Sequence, residues 1–157
     1  MEKIYIICIE DQREVLNVVS DHLSHFEDLL TLEECESTAE ARELIEEIDD
    51  NGDYVGVIVS DHVMPNQTGV DFLVEINNDD RFKATRKILL TGQATHIDTI
   101  QAINKAGIDK YVEKPWTKED LIKKVSVLLT EFIIKKGIPY ESYMAVLDKP
   151  TLFELLK

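Results

Sequence analysis

Residues 57–73 read VIVSDHVMPNQTGVDFL, and the rest of the chain is organised around them. Val57, Ile58 and Val59 form an apolar, β-branched run that ends at Ser60 and passes Asp61 straight into a loop. His62-Val63-Met64-Pro65 follows, and Gly69 and Asp71 open the next apolar segment. A buried strand that ends in a carboxylate and runs into a turn is how open α/β sheets present a reactive group. Asp61 is the first candidate site residue. Met64, Pro65 and Gly69 read as loop-shaping residues, and Asp71 as an acid at a helix start.

Outward from this stretch, strands and helices alternate. Ile4 to Ile9 is a fully apolar run, as expected of a strand buried on both faces. From Arg13 to Phe26, residues Val15, Leu16, Val19, Leu23 and Phe26 recur at helical spacing. Leu29 to Glu34 reads as a weaker, edge-like strand. Ser37 or Thr38 caps a helix carrying Ala39, Ala41, Leu44, Ile45 and Ile48, and Asn51-Gly52 stops it. Tyr54 to Ser60 is the third strand, and Val70 to Ile76 a short helix.

Arg86 to Leu90 gives the next strand, ending at Thr91-Gly92. A helix is expected from about Ile97 to Lys105, and a fifth strand from Ile108 to Val112. Thr117, with Asp120 three residues on, then starts a long helix that stops near Gly137-Ile138-Pro139. This alternation predicts a parallel sheet covered on both faces, with right-handed crossovers.

The 157 residues suffice for one compact domain with a core, and 44% apolar content argues against disorder. A net charge of −14 repels nucleic acid and anionic membrane, so neither is an expected partner. The N-terminus, MEKIYIICIEDQ, turns acidic too early for a signal peptide, and no apolar run approaches ~20 residues. A cytoplasmic location is expected. Cys8 and Cys35 lie in apolar runs and read as buried thiols.

In a parallel sheet the C-terminal ends of the strands share one edge, where ligands bind. Those ends here carry Glu10-Asp11, Asp61, Thr91 and Lys114. Each alone is explained as a solvated turn residue; the combination is not. Three clustered carboxylates repel unless a cation lies between them, and an all-oxygen set suits Mg²⁺ (or Mn²⁺). A phosphoryl group moving onto Asp61 needs its charge neutralised, which the metal on one side and Lys114 on the other could supply. The Thr91 hydroxyl can donate to a phosphoryl oxygen, and Gly92 leaves the approach open. An aspartyl phosphate is a reasonable covalent product.

These residues, in this order over about residues 3–130, resemble the response-regulator receiver domain of two-component signalling. The resemblance implies a flavodoxin-like doubly wound five-stranded parallel sheet of order 2-1-3-4-5, with helices on both faces. It implies that Glu10 and Asp11 are the acidic pair, Asp61 the phosphoacceptor, Thr91 the switch hydroxyl and Lys114 the site lysine. It further implies that Val63 lends a backbone carbonyl to the metal, that Lys114-Pro115 is a cis peptide, and that Tyr111 is the aromatic that turns inward when Thr91 moves. The implied function is a Mg²⁺-dependent phosphorelay acceptor, not an enzyme beyond self-phosphotransfer and autodephosphorylation. Its implied partners are a sensor histidine kinase or phosphotransfer protein.

Departures from the family pattern are small. Glu10 stands where Asp is commoner, which adds a methylene of reach and allows metal contact through a water. Trp116 stands where Phe is frequent. His62, Val63 and Gln93 flank the phosphoryl position and are expected to tune the phosphate's lifetime. His62 otherwise reads as a partly exposed loop histidine, and Tyr111 as half-buried packing on the fifth strand.

The expected division is a receiver over residues 1–136 and a C-terminal extension over residues 137–157. The extension holds Tyr140, Tyr143, Met144, Leu147, Leu152, Phe153, Leu155 and Leu156, too apolar for a free tail. Three roles are open to it: an extra helical segment folded back on the receiver, a homodimer contact, or the root of an output domain. TLFELLK stops inside an amphipathic pattern, which leans toward a chain cut short of such a domain.

Two other functions are weighed. A phosphatase of the haloacid-dehalogenase type also uses Asp, Mg²⁺, Thr and Lys, but places its nucleophile after the first strand with a second acid two residues on. Here Val63 stands two after Asp61, and the first strand ends in Glu10-Asp11-Gln12. A phosphate-independent pseudo-receiver is disfavoured because no site residue is missing. A flavin protein would need a hydroxyl-rich loop where EDQRE stands.

Overall fold

The computed structural model describes residues 2–92, 100 and 104–157. Five parallel strands form one sheet: β1 (Ile4–Ile9), β2 (Thr31–Cys35), β3 (Tyr54–Asp61), β4 (Arg86–Thr91) and β5 (Lys110–Glu113), in the order β2-β1-β3-β4-β5. The order reverses between β1 and β3, so the crevice above their C-terminal ends is the switch point at which such sheets bind ligands. The expected sheet and its order are both present.

The helices described from end to end are α1 (Arg13–Leu23), α2 (Thr38–Asp50), α3 (Gly69–Asn77), α4 (Lys118–Lys136) and α5 (Lys149–Leu155). Side chains on each inner strand alternate between two cores. Ile4, Ile6, Cys8, Val57, Val59, Ile88 and Leu90 pack with α1 and α4. Ile7, Ile9, Ile58 and Leu89 pack with α2 and α3 through Ile45, Phe72 and Leu73. Cys8 and Cys35 are buried free thiols that fall into different cores.

Local chemistry sets the element ends. Ser37 caps α2 by accepting from Glu40 N–H, Thr68 caps α3 from Asp71 N–H, and Thr117 caps α4 from Asp120 N–H, each at 3.1 Å. Gly137, at φ 71°, ends α4 in the left-handed conformation that favours glycine. The first helix stops three residues earlier than its apolar spacing suggests. The Ser24 hydroxyl donates to Asp21 O, and a 3₁₀ turn over Ser24–Phe26 keeps Phe26 in the core. β5 begins at Lys110 because Asp109 is used as a clamp, accepting Lys87 N–H and Arg86 Nη1. Of the helix expected over 97–105, only residues 100, 104 and 105 are described, and they are helical.

Residues 137–157 fold back along α4. A 3₁₀ segment (Glu141–Val146), Leu147 just after it and α5 place Tyr143, Val146, Leu147 and Leu152 in the α1/α4 core. The buried Thr130 hydroxyl accepts from Asp148 N–H at 2.9 Å and donates to Ser126 O at 2.7 Å. Asp148 caps α5 through Thr151 and pairs with Lys123 at 3.1 Å. Phe153, Leu155 and Leu156 remain exposed. Among the described residues no helix is long and apolar enough to cross a membrane.

Candidate functional site

The sheet's C-terminal edge gathers the residues singled out above. β1 ends against Glu10, which is buried, with Asp11 half-buried beside it. β3 is buried along nearly its whole length and ends with Asp61, 5% exposed. One ligand oxygen from each of Glu10, Asp11 and Asp61 lies within 4.8 Å of the others. β4 ends at the buried Thr91, whose carbonyl accepts Lys114 N–H at 3.0 Å and so ties the loop after β5 to the same edge. Lys114 Nζ donates to Asp61 Oδ1 at 2.5 Å and lies 3.8 Å from Glu10 Oε2. The Lys114-Pro115 peptide is cis, as the resemblance implied.

Electrostatics at this edge are unbalanced. One Glu10 oxygen accepts from Gln12 N–H at 3.1 Å, whereas Oε2 is buried without a hydrogen-bond partner among the described residues. Burial pushes the Glu10 carboxyl up to about 7. The Gln12 N–H opposes this, and the Asp61 charge adds to it. Three clustered acids, one of them with a buried carboxylate oxygen lacking a hydrogen-bond partner among the described residues, could hold a hard divalent cation.

The loop between β3 and α3 is fixed at both ends. Gly69 N–H donates to His62 O at 2.8 Å, and a Cβ on Gly69 would lie 1.9 Å from Asp61 O. Only glycine permits this approach. Asn66 takes a positive φ of 74° within the turn, and the Arg42 guanidinium binds Gln67 and Glu75 together. His62 is half-buried, with Nδ1 unpartnered among the described residues. Val63 is 72% exposed and Tyr111 47% exposed, so the tyrosine faces solvent rather than packing inward. Gln93 lies outside the described residues.

One contact at this edge was not foreseen. Trp116, two residues after Lys114, donates its Nε1–H to His22 Nδ1 on α1 at 3.1 Å. The signal was present: a partly buried indole N–H needs an acceptor, and Trp stood where Phe was expected. The acceptor's identity, 94 residues away, was not readable.

Comparison with known proteins agrees with this fold. The response regulator receiver domain family matches residues 6–126. Chemotaxis protein CheY1 of Helicobacter pylori (strain ATCC 700392 / 26695) is 31% identical over 126 residues, covering 79% of this chain and 95% of that protein. Among solved structures, the signal receiver domain of an HD domain-containing protein from Pseudomonas fluorescens Pf-5 superposes with a TM-score of 0.73. It is 22% identical and covers 88% of this chain and 96% of that one. Chemotaxis response regulator CheY4 of Vibrio cholerae gives a TM-score of 0.68 at 22% identity, covering 80% of this chain and 98% of that one.

Proposed function

The chain belongs to the response regulator receiver domain family of two-component signalling, and from that premise we propose that Asp61 accepts a phosphoryl group from a phosphohistidine. The donor would be a sensor histidine kinase or a phosphotransfer protein. The reading is carried by one observation: the Asp61 carboxylate stands between an acidic pair with an orphaned buried oxygen and a lysine ammonium at 2.5 Å.

Glu10, Asp11, Asp61 and the Val63 carbonyl would hold Mg²⁺ (or Mn²⁺). When bound, the ion would supply positive charge against the phosphoryl oxygens. In the transfer an Asp61 oxygen forms the P–O bond as the donor's P–N bond breaks. The leaving imidazole keeps the electron pair and takes up a proton. Lys114 is placed to neutralise charge on the moving group. Transfer would also pull the Thr91 hydroxyl toward the phosphoryl group and open space for Tyr111, now exposed, to turn inward. His62, Val63 and Gln93 would set how long the phosphate survives.

The extension, residues 137–157, we read as part of the same folded unit as residues 1–136, held by the Thr130–Asp148 bond and Leu152. A phosphatase reading finds little support. The position two after Asp61, where that chemistry needs an acid, is the exposed, apolar Val63.

Incubation with Mg²⁺ and a small acyl phosphate or phosphoramidate, followed by mass analysis, tests the proposal. One phosphate on Asp61, lost in Asp61→Asn, is the expected result. Label on another residue, or multiple turnover on unrelated phosphate esters, overturns it. Tyr111 keeping one rotamer with and without a phosphate mimic overturns the switch.

A further inference from the structure

Lys114 can serve the site only if the loop that carries it is fixed. Its side chain is long, flexible and about one-third exposed, and such a chain gives up substantial rotamer entropy when held in one place. The loop is tied before and after Trp116. Lys114 N–H binds Thr91 O, and Thr117 caps α4. Between these ties, Trp116 makes one hydrogen bond among the described residues, from Nε1–H to His22 Nδ1 at 3.1 Å. The two rings meet edge to face, at 6.3 Å and 88°.

His22 is a firm anchor. It lies on the last turn of α1, between Val19 and Leu23, both of which are buried in the core. An indole N–H only donates, so His22 Nδ1 is the acceptor of this bond. Val15 and Val18 of α1 line one shallow depression together with Lys114, Pro115 and Trp116, so helix and loop present a continuous surface.

We propose that the Trp116–His22 hydrogen bond positions Lys114 for phosphoryl transfer, making both residues positioning residues of the site. The inference rests on the function proposed above. It assigns a distinct task to each side of the site: Glu10, Asp11 and Asp61 hold the cation, while α1, through Trp116, holds the lysine. Loosening the anchor slows transfer without weakening metal binding.

Three substitutions test this in the full chain. His22→Leu and Trp116→Phe remove the hydrogen bond and keep most of the volume. His22→Gln keeps an acceptor oxygen. With Mg²⁺ and a small acyl phosphate at saturation, the first two are expected to lower the rate of Asp61 phosphorylation about fivefold, the scale of one neutral hydrogen bond. The Mg²⁺ concentration for half-saturation should not rise, and His22→Gln should restore the rate. Trp116 is the chain's one tryptophan, so its emission should shift to the red in His22→Leu and not in His22→Gln.

Wild-type rates in both His22→Leu and Trp116→Phe overturn the inference, as does a loss in His22→Gln equal to that in His22→Leu. If His22→Leu fails to fold, Trp116→Phe decides alone. A wild type that takes no phosphate overturns the proposed function, and the inference falls with it. A wild type that takes it, with variants unchanged, overturns the inference alone.

Discussion

Lys114 Nζ lies 2.5 Å from Asp61 Oδ1, so an ammonium carried after β5 neutralises a nearly buried carboxylate at the end of β3. The same ammonium is 3.8 Å from Glu10 Oε2, close enough to compete with any cation drawn to that cluster. Lys114→Met keeps most of the stem and removes the charge. Phosphorylation of Asp61 is expected to slow by about 10²-fold, the scale of losing one group aimed at charge that develops during reaction. Mg²⁺ affinity should hold or rise, because no ammonium opposes the ion. Initial rates and a metal titration on the same sample check the split; parallel losses in both would contradict the role given to Lys114.

Gly69 is fixed by contact rather than by backbone conformation. A Cβ there would meet Asp61 O at 1.9 Å, Ser60 Oγ at 2.9 Å and Asp61 C at 3.0 Å. Two of the three are backbone atoms of the acceptor itself, which cannot swing away as a side-chain tip can. Gly69→Ala is expected to destabilise the fold by about 3 kcal/mol or more, the upper range for overpacking. It should also displace Asp61 and lower acceptor labelling beyond what lost stability explains. Urea unfolding, with labelling measured under native conditions, checks both parts. A stable, fully labelled variant would mean that α3 shifts freely.

The sheet and the site edge were legible in the sequence because both rest on short-range patterns. The runs Ile4–Ile9 and Val57–Val59 are apolar without alternation, and their strand length and β-branched content suit a strand covered on both faces. Glu10, Asp61 and Thr91 end apolar runs and Lys114 follows the more polar β5, so a parallel sheet brings all four to one edge. Pairings between helices were not legible. His22 and Trp116 meet because α1 and the loop before α4 share one face of the sheet. Thr130 meets Asp148 because residues 137–157 reverse direction after Gly137. Neither reversal nor shared face leaves a periodic trace. The end of α1 is not legible for a related reason: Phe26 is buried at helical spacing, yet a 3₁₀ turn puts it there.

Leu152 is 1% exposed within the α1/α4 core, although it belongs to the last helix of the chain. Leu152→Ala is expected to destabilise by about 2–4 kcal/mol, as for other buried leucines. Thr130→Val keeps the shape and removes the hydroxyl that accepts Asp148 N–H. That leaves a part-buried donor unpaired, at a loss of about 1–2 kcal/mol. Denaturant unfolding should show one transition in both variants if residues 137–157 belong to the folded unit. An early, separate transition, or no change in midpoint, would make the extension an independent appendage.

Lys87 supplies a pH signature far from the acceptor. It is 3% exposed on β4, and among the described residues its ammonium has only long bonds, to Thr85 O at 3.3 Å and Gly107 O at 3.5 Å. Burial holds its pKa below the ordinary lysine range. Asp109 opposes the shift, while Arg86, Lys83 and Lys135 add to it. The folded state thus releases this proton at a lower pH than the unfolded chain does. Between that point and about pH 10.4, the unfolded state binds more protons, so the contribution of Lys87 to stability rises with pH. Lys87→Met removes the buried charge together with two weak bonds, and is expected to stabilise the fold at pH 7 by about 1 kcal/mol. The advantage over wild type should shrink as pH climbs toward about 10. Other alkaline titrations, among them the buried thiols and Tyr143, are common to both proteins and cancel in the difference. Urea midpoints from pH 7 to about 10 measure that difference directly. A variant less stable at pH 7, or a gap constant with pH, would mean that the two carbonyl bonds outweigh the burial of the charge.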